Sequence, residues 1–254
     1  NSGFELFLNT VNIDRSIIWA TCFNFSYNRN RITDLGGESI IDEGNSRFMN
    51  VAMVGQPLGV FYGAEYAGAD PADGDALWYV NSKDNNGNIT DNKTTTSNYS
   101  EAGFVVLGNP NPPILFAITN NLNYKGLGLS FMFQGVSGNK IHLAGDSFMS
   151  SNATWFDNQT ADQLNSWKKP GDITDIPQAR LGYNNGNQPR SSRYISPGGY
   201  LKLRNIMVSY ELPEVVVNRF GLKGGRVYIQ GHNMLTFTKY RGWDPDVAAD
   251  IAVN

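Results

Sequence analysis

Residues 16–29 read SIIWATCFNFSYNR, and the stretch alternates. Ile17, Trp19, Thr21, Phe23, Phe25 and Tyr27 share one parity, and Ile18, Ala20, Cys22, Asn24, Ser26 and Asn28 the other. A period of two is the repeat of a β-strand, whose successive side chains point to opposite faces. One face of this strand is therefore large and apolar, the other small and mostly polar. Such a strand belongs at a boundary between an apolar medium and water, which leaves a soluble β-sandwich or a transmembrane β-barrel.

The bias recurs twice. From Ile114 to Tyr124 and Leu127 to Val136, the residues Phe116, Ile118, Leu122 and Tyr124, then Leu127, Leu129, Phe131 and Phe133, form apolar faces. Ala117, Thr119, Asn121, Asn123, Gly128, Ser130 and Gln134 lie opposite, and the turn YKGLG places Gly126 where a positive φ is wanted. A third pair runs from Tyr200 to Leu212 and from Arg226 to Lys239, linked by PEVVVNRFGLKGG, where a short helical turn is expected. Lys202 and Arg204 there share parity with Ile206, Val208 and Tyr210, a conflict that a bulge or a change of environment part-way along the strand would resolve.

The organisation expected is three hairpins, about 3–29, 114–136 and 200–239, separated by polar stretches at about 32–113 and 137–199 rich in Asn, Asp, Gly, Ser and Thr. Every short connection then falls at one end and every long one at the other. A barrel of short periplasmic turns and long extracellular loops predicts that asymmetry better than a sandwich does. Trp19, Tyr27, Tyr124, Tyr210 and Tyr240 fall near strand ends, where an interfacial girdle would put them.

The 254 residues are 12% aromatic and 17% charged, with 27 Gly, a composition suited to strands and turns. A net charge of −3 provides no basic field for a phosphate backbone, so no nucleic-acid partner is expected. No apolar run approaches the roughly 18 residues of a membrane-spanning helix, and the mean hydropathy of −0.35 is no obstacle to strands that alternate. Cys22, the single cysteine, has no internal disulfide partner and reads as a small strand residue.

Catalytic signatures are missing. His142 and His232 lack H-E-x-x-H spacing and read as loop or lumen residues, and there is no G-x-S-x-G elbow, phosphate loop or dinucleotide fingerprint. No catalytic residue, cofactor or metal is expected. Asp70–Asp75 (DPADGD) and Trp243–Asp246 (WDPD) concentrate carboxylates but read as turns, leaving a glycosidase pair as the enzymatic alternative. SKDNNGNITDNK has the outline of a calcium loop, yet Ser82 and Lys93 occupy its first and last ligand positions, so no ion is expected there. The N-x-[ST] triplets at Asn88, Asn92, Asn152 and Asn158 would matter only in a eukaryotic secretory setting.

Four motifs, in order, resemble the SusC/RagA family of TonB-dependent outer-membrane transporters of Bacteroidota. They are VGQPLGVFYGAEYAGADPADGD (54–75), LGNPNPPILFAITNNLNYKGLGLSFMFQGVSGNKI (107–141), GGYLKLRNIMVSYELP (198–213) and RVYIQGHNMLTFTKYRGWDPDV (226–247). The resemblance implies an all-β fold, an antiparallel transmembrane β-barrel with long extracellular loops, of which residues 1–254 are a C-terminal part. The plug, the N-terminal region and the final strand, beyond AADIAVN, are expected to lie outside this chain.

The same resemblance implies an outer-membrane TonB-dependent nutrient importer, SusC-like, and not an enzyme. It would take up glycans or peptides with a SusD-like surface lipoprotein, contact outer-membrane lipid, and couple to TonB-ExbB-ExbD through the N-terminal region. Trp78, Tyr79, Trp155, Phe156 and Trp167 are the substrate-binding candidates, as loop aromatics able to stack on sugars or side chains. A secreted soluble β-sandwich that binds carbohydrate or acts as an adhesin is the alternative.

Overall fold

A computed structural model describes residues 1–44, 48–82, 89, 94–154, 156–182 and 185–246. The chain divides into two compact units, one made of 1–30, 111–139 and 197–254, the other of 31–110 and 140–196.

The first unit is one antiparallel meander of six strands: β1 (Ser2–Asp14), β2 (Ile17–Arg29), β3 (Ile114–Tyr124), β4 (Leu127–Ser137), β5 (Tyr200–Glu211) and β6 (Arg226–Thr238), each beside the next. Its register carries a single apolar row across all six. Leu8 lies opposite Phe23, Phe23 opposite Ile118, Ile118 opposite Phe133, Phe133 opposite Leu203, and Leu203 opposite Leu235. The neighbouring row, Phe7, Asn24, Ala117, Gln134, Lys202 and Thr236, faces the other way and is largely polar. Phe4, Leu8 and Phe237 on the apolar face remain 57, 49 and 58% exposed. A sandwich would cover such side chains with a second sheet.

The mixed parity of β5 is resolved by a bulge. Met132 pairs with Asn205 but Phe133 with Leu203, and the register against β6 shifts at the same place, leaving Arg204 as the extra residue. Leu201 and Leu203 thus join Ile206, Val208 and Tyr210 on the apolar face, and Lys202 turns to the polar one. A second register shift lies between Val11 and Ile13 in β1.

Near that second shift the sequence reading missed a polar network on the apolar face. Asn120 Oδ1 accepts hydrogen bonds from Trp19 Nε1 at 2.9 Å and Thr21 Oγ1 at 2.8 Å, and Asn12 Nδ2 donates to Thr21 Oγ1 at 2.7 Å. These groups satisfy one another within the sheet.

The turn between β3 and β4 places Lys125 at φ 49° and Gly126 at φ 82°. Two successive positive values match the twist of the flanking strands, and the sequence pointed to Gly126 alone. The link between β5 and β6 holds the expected helical turn, Glu214–Asn218.

The second unit departs from the expectation of long loops. Ile40–Ile41, Asn50–Met53, Val60–Ala64 and Phe104–Gly108 form a four-stranded sheet, and Tyr66–Ala69, Ala76–Val80 and Thr94–Thr96 a three-stranded one. Strands of two to five residues are too short to display a period of two against an Asn- and Gly-rich background.

The register makes an asymmetric prediction. In the full-length protein in a bilayer, Phe23→Lys should cost about 2–4 kcal/mol of assembly if it falls near the midplane. Asn24→Lys should assemble as the parent does, judged by the folded fraction recovered with membranes.

Candidate functional site

The second unit is organised around Trp78, which is fully buried with Ala64 and Ala76. Tyr66 and Tyr99 pack on it at ring-centroid distances of 5.2 and 5.1 Å, and Phe104 follows Tyr99 at 5.9 Å. Aromatic contacts of this kind each add about 0.5–1.5 kcal/mol beyond area burial.

Arg190 ties this core together. Its guanidinium grips Asp42 through Nη1 at 3.1 Å and Nη2 at 2.6 Å and lies 5.3 Å from the Phe104 ring centre. Its carbonyl accepts from Ala64 N and from the Tyr99 hydroxyl, both at 3.0 Å. A Cβ at Gly63 would collide with that carbonyl, so only glycine permits the close approach. The Arg190 hydrogen bond holds the Asp42 carboxyl below the usual range, and burial pushes the Tyr99 hydroxyl up to about 12.

Beside the core opens a cleft of about 620 Å³ whose lining includes Gln56, Tyr62, Glu65, Tyr66, Phe104 and Ser192. Tyr62 meets Phe104 edge-on at 5.7 Å, and Tyr66 is fixed at both ends, its N donating to Ser192 Oγ at 2.9 Å and its hydroxyl to Asp175 O at 2.8 Å. Rigid rings flanked by an amide and a carboxylate can stack and hydrogen-bond with a ligand.

Of the aromatics singled out in the sequence, Trp78, Tyr79, Phe156 and Trp167 do not line that cleft. Trp78 is core, enclosed on all sides, which corrects its reading as a ligand-stacking residue. Trp167 is corrected likewise: it is 6% exposed, donates from Nε1 to Pro71 O at 3.2 Å, and packs its ring against Gly74. Tyr79 is half-buried and Phe156 is 92% exposed. Trp155 lies outside the described residues, as do Asn88, Asn92, the closing AADIAVN and all of the calcium-like stretch except Ser82 and Ile89. Tyr62 and Tyr66 stood in the motif VGQPLGVFYGAEY, but a signature does not say which of its residues face a cavity.

The carboxylate clusters are occupied structurally. Asp70–Asp75 is a turn closed by Ala72 N to Asp70 Oδ1 at 2.8 Å and Asp75 N to Asp73 Oδ1 at 2.9 Å, and Asp75 is ion-paired with Arg180. A hydrogen bond from Lys202 lowers the Asp244 carboxyl, and one from Arg204 lowers that of Asp246. His142 Nε2 lies 3.1 Å from Pro189 O, and burial favours its neutral form.

No protein-family model matches the chain. It is 32% identical over 257 residues to TonB-dependent receptor P3 of Formosa agariphila, an alignment covering 97% of this chain and 25% of that protein. It is 24% identical over 266 residues to TonB-dependent receptor SusC of Bacteroides thetaiotaomicron, covering 100% of this chain and 25% of SusC. The solved structure of the RagAB peptide transporter superposes with a TM-score of 0.80 at 30% identity, over 96% of this chain and 26% of that one. The chain spans about a quarter of the length of the curated relatives it matches.

Two outcomes follow from the core. Trp78→Ala should destabilise the second unit by about 3–5 kcal/mol, whereas Phe156→Ala should change it by less than about 0.5 kcal/mol, measured by protease resistance of 31–110 and 140–196. The Asp42 carboxyl is lowered, so its contribution is complete above the ordinary carboxylate value of about 4 and is lost as pH falls through the folded one. The protection factor at Ala64, its exchange measured against an unstructured amide at the same pH, should therefore fall on acidification, and Asp42→Asn should remove that pH-dependent component.

Proposed function

We propose, for a chain that belongs to the SusC/RagA family of TonB-dependent receptors, that the whole protein imports a nutrient across the outer membrane by energised transport. The six-stranded sheet is a stretch of outer-membrane barrel wall. The observation that carries the functional reading is likeness over nearly the whole chain, 32% identity across 97% of it to a TonB-dependent receptor. The RagAB transporter it superposes on carries peptides, which supports a peptide solute, with a glycan as the other class. The partners in this reading are a SusD-like surface lipoprotein and, through a part of the protein outside this chain, TonB-ExbB-ExbD.

The protein does no covalent chemistry in this account. A glycosidase needs one carboxyl held protonated by a raised pKa, and here Asp244 and Asp246 are both lowered by cations while Asp75 is ion-paired. Tyr79 and Phe156, with Tyr62, Tyr66 and Phe104 of the cleft, are among the aromatics available to a solute or to the lipoprotein lid. The soluble-sandwich alternative has the uncovered apolar face of the meander against it.

Deleting the gene in its native host, with labelled peptides and oligosaccharides offered separately, tests the reading. Uptake of one class should fall to the level of a TonB-deficient strain, and the tagged receptor should bring a surface lipoprotein with it from detergent extracts. Unchanged uptake of both classes, or recovery of the full-length protein without detergent, would remove the importer assignment.

A further inference from the structure

The connection between β5 and β6 reverses the chain at the end of the sheet where the short turns lie. Val216 N and Val217 N donate to Pro213 O at 2.8 and 3.2 Å, closing the helical turn Glu214–Asn218. Gly221, at φ 65°, lets the chain double back, and Leu222 N donates to Val217 O at 3.1 Å.

Val217, 2% exposed, shows which face of the sheet this turn covers. Tyr210 pairs with Val227 in an apolar row, and a bond from Leu212 N to Gly225 O at 2.9 Å carries the ladder two residues further. Leu212 and Gly225 therefore point the same way as Tyr210 and Val227. A Cβ on Gly225 would lie 3.1 Å from Val217 Cγ1 and 3.2 Å from Leu212 Cδ1. The turn is thus folded over the apolar side.

Its other apolar side chains point outward. Val215, Val216, Phe220 and Leu222 are all exposed, Phe220 by 76%. They continue a row that crosses the sheet at this end, Tyr124, Leu127, Tyr210 and Val227, whose members are exposed as well. Cations are set among them. Arg219 and Lys223 are exposed and have no ion-pair partner among the described residues. Lys125, in the β3–β4 turn, holds its Nζ 5.3 Å from the centre of the Tyr124 ring. Glu214 is the one carboxylate in 212–225. Apolar side chains interleaved with cations match a lipid interface, where acyl chains take the first and phosphates the second.

We propose that residues 213–223 are an interfacial anchor docked on anionic phospholipid, in the leaflet at the short-turn end of the sheet. Phe220 and Leu222 enter the upper acyl chains, and Arg219 and Lys223 meet headgroup phosphates. Lipid is the occupant because the patch is continuous with the apolar face of the sheet and its cations complement an anionic headgroup. The anchor rests on the reading of that sheet as barrel wall, and it is independent of what solute is carried.

Bimane fluorescence from single cysteines in the full-length receptor, its native cysteines replaced, tests this in bilayers of phosphatidylethanolamine and phosphatidylglycerol at roughly three to one. Labels at 220 and, separately, at 222 should be quenched by lipids brominated in the upper acyl chain and shielded from aqueous iodide. The ratio of lipid to iodide quenching should exceed that at 211, on the polar face, by about threefold or more. Bromine carried on phosphatidylglycerol should quench at 220 about twofold more per mole than bromine on phosphatidylethanolamine, a preference that R219Q/K223Q should abolish. A label at 208, in the apolar face of β5, reports on the wall itself. Lipid quenching at 208 with iodide quenching at 220 and 222 would overturn the anchor and leave the barrel standing. So would shielding of 220 and 222 from both quenchers, the sign of cover by protein. Equal quenching by the two brominated lipids in the parent would overturn the anionic docking, and loss of lipid quenching at 208 would overturn wall and anchor together.

Discussion

Everything in the long sheet depends on one register. Backbone pairing places Leu8, Phe23, Ile118, Phe133, Leu203 and Leu235 in line, and a slip of one residue in any strand would send that strand's large side chains to the polar face. The two shifts in that register are local, at Val11/Ile13 and around Arg204. The second keeps the apolar row continuous while freeing a charged side chain to the wet side. Fold and charge placement are thus settled by the same bulge.

Charge is handled the same way throughout. Arg190 is matched by Asp42, Arg180 by Asp75, and Lys202 with Arg204 by Asp244 and Asp246. Of the carboxylates that the sequence offered to catalysis, Asp75, Asp244 and Asp246 are held by cations and Asp70 and Asp73 accept from backbone amides of their own turn, which is consistent with the importer proposed for the whole protein. The likeness to TonB-dependent receptors and to the RagAB transporter is in keeping with that chemistry.

The parts of the fold legible in the sequence are those whose signal is periodic. Alternation over ten or more residues marks β2, β3 and β4 most clearly and is weaker in β5 and β6, where the conflict at Lys202 and Arg204 is compatible with a bulge or with a change of environment, and the pairing shows the bulge. The second unit was illegible because its strands are short and its core is assembled from distant pieces: Trp78, Tyr99 and Arg190 meet only after folding. For the same reason Trp78 and Trp167 passed for loop aromatics. Nothing in the local sequence of a tryptophan says whether a loop will close over it. Asn120 escaped notice because one polar residue in an apolar face carries no signal until Trp19 and Thr21 are beside it.

The central claim is that the two faces of this sheet meet different solvents. Spin labels placed singly along 19–27 of the full-length receptor in a bilayer, after Cys22→Ser, measure it through collision with oxygen, which partitions into lipid, and with a water-soluble nickel complex. The account predicts a period of two, with Phe23 and Phe25 open to oxygen and Asn24 and Ser26 open to nickel. Uniform accessibility along the strand, or the opposite phase, would contradict it.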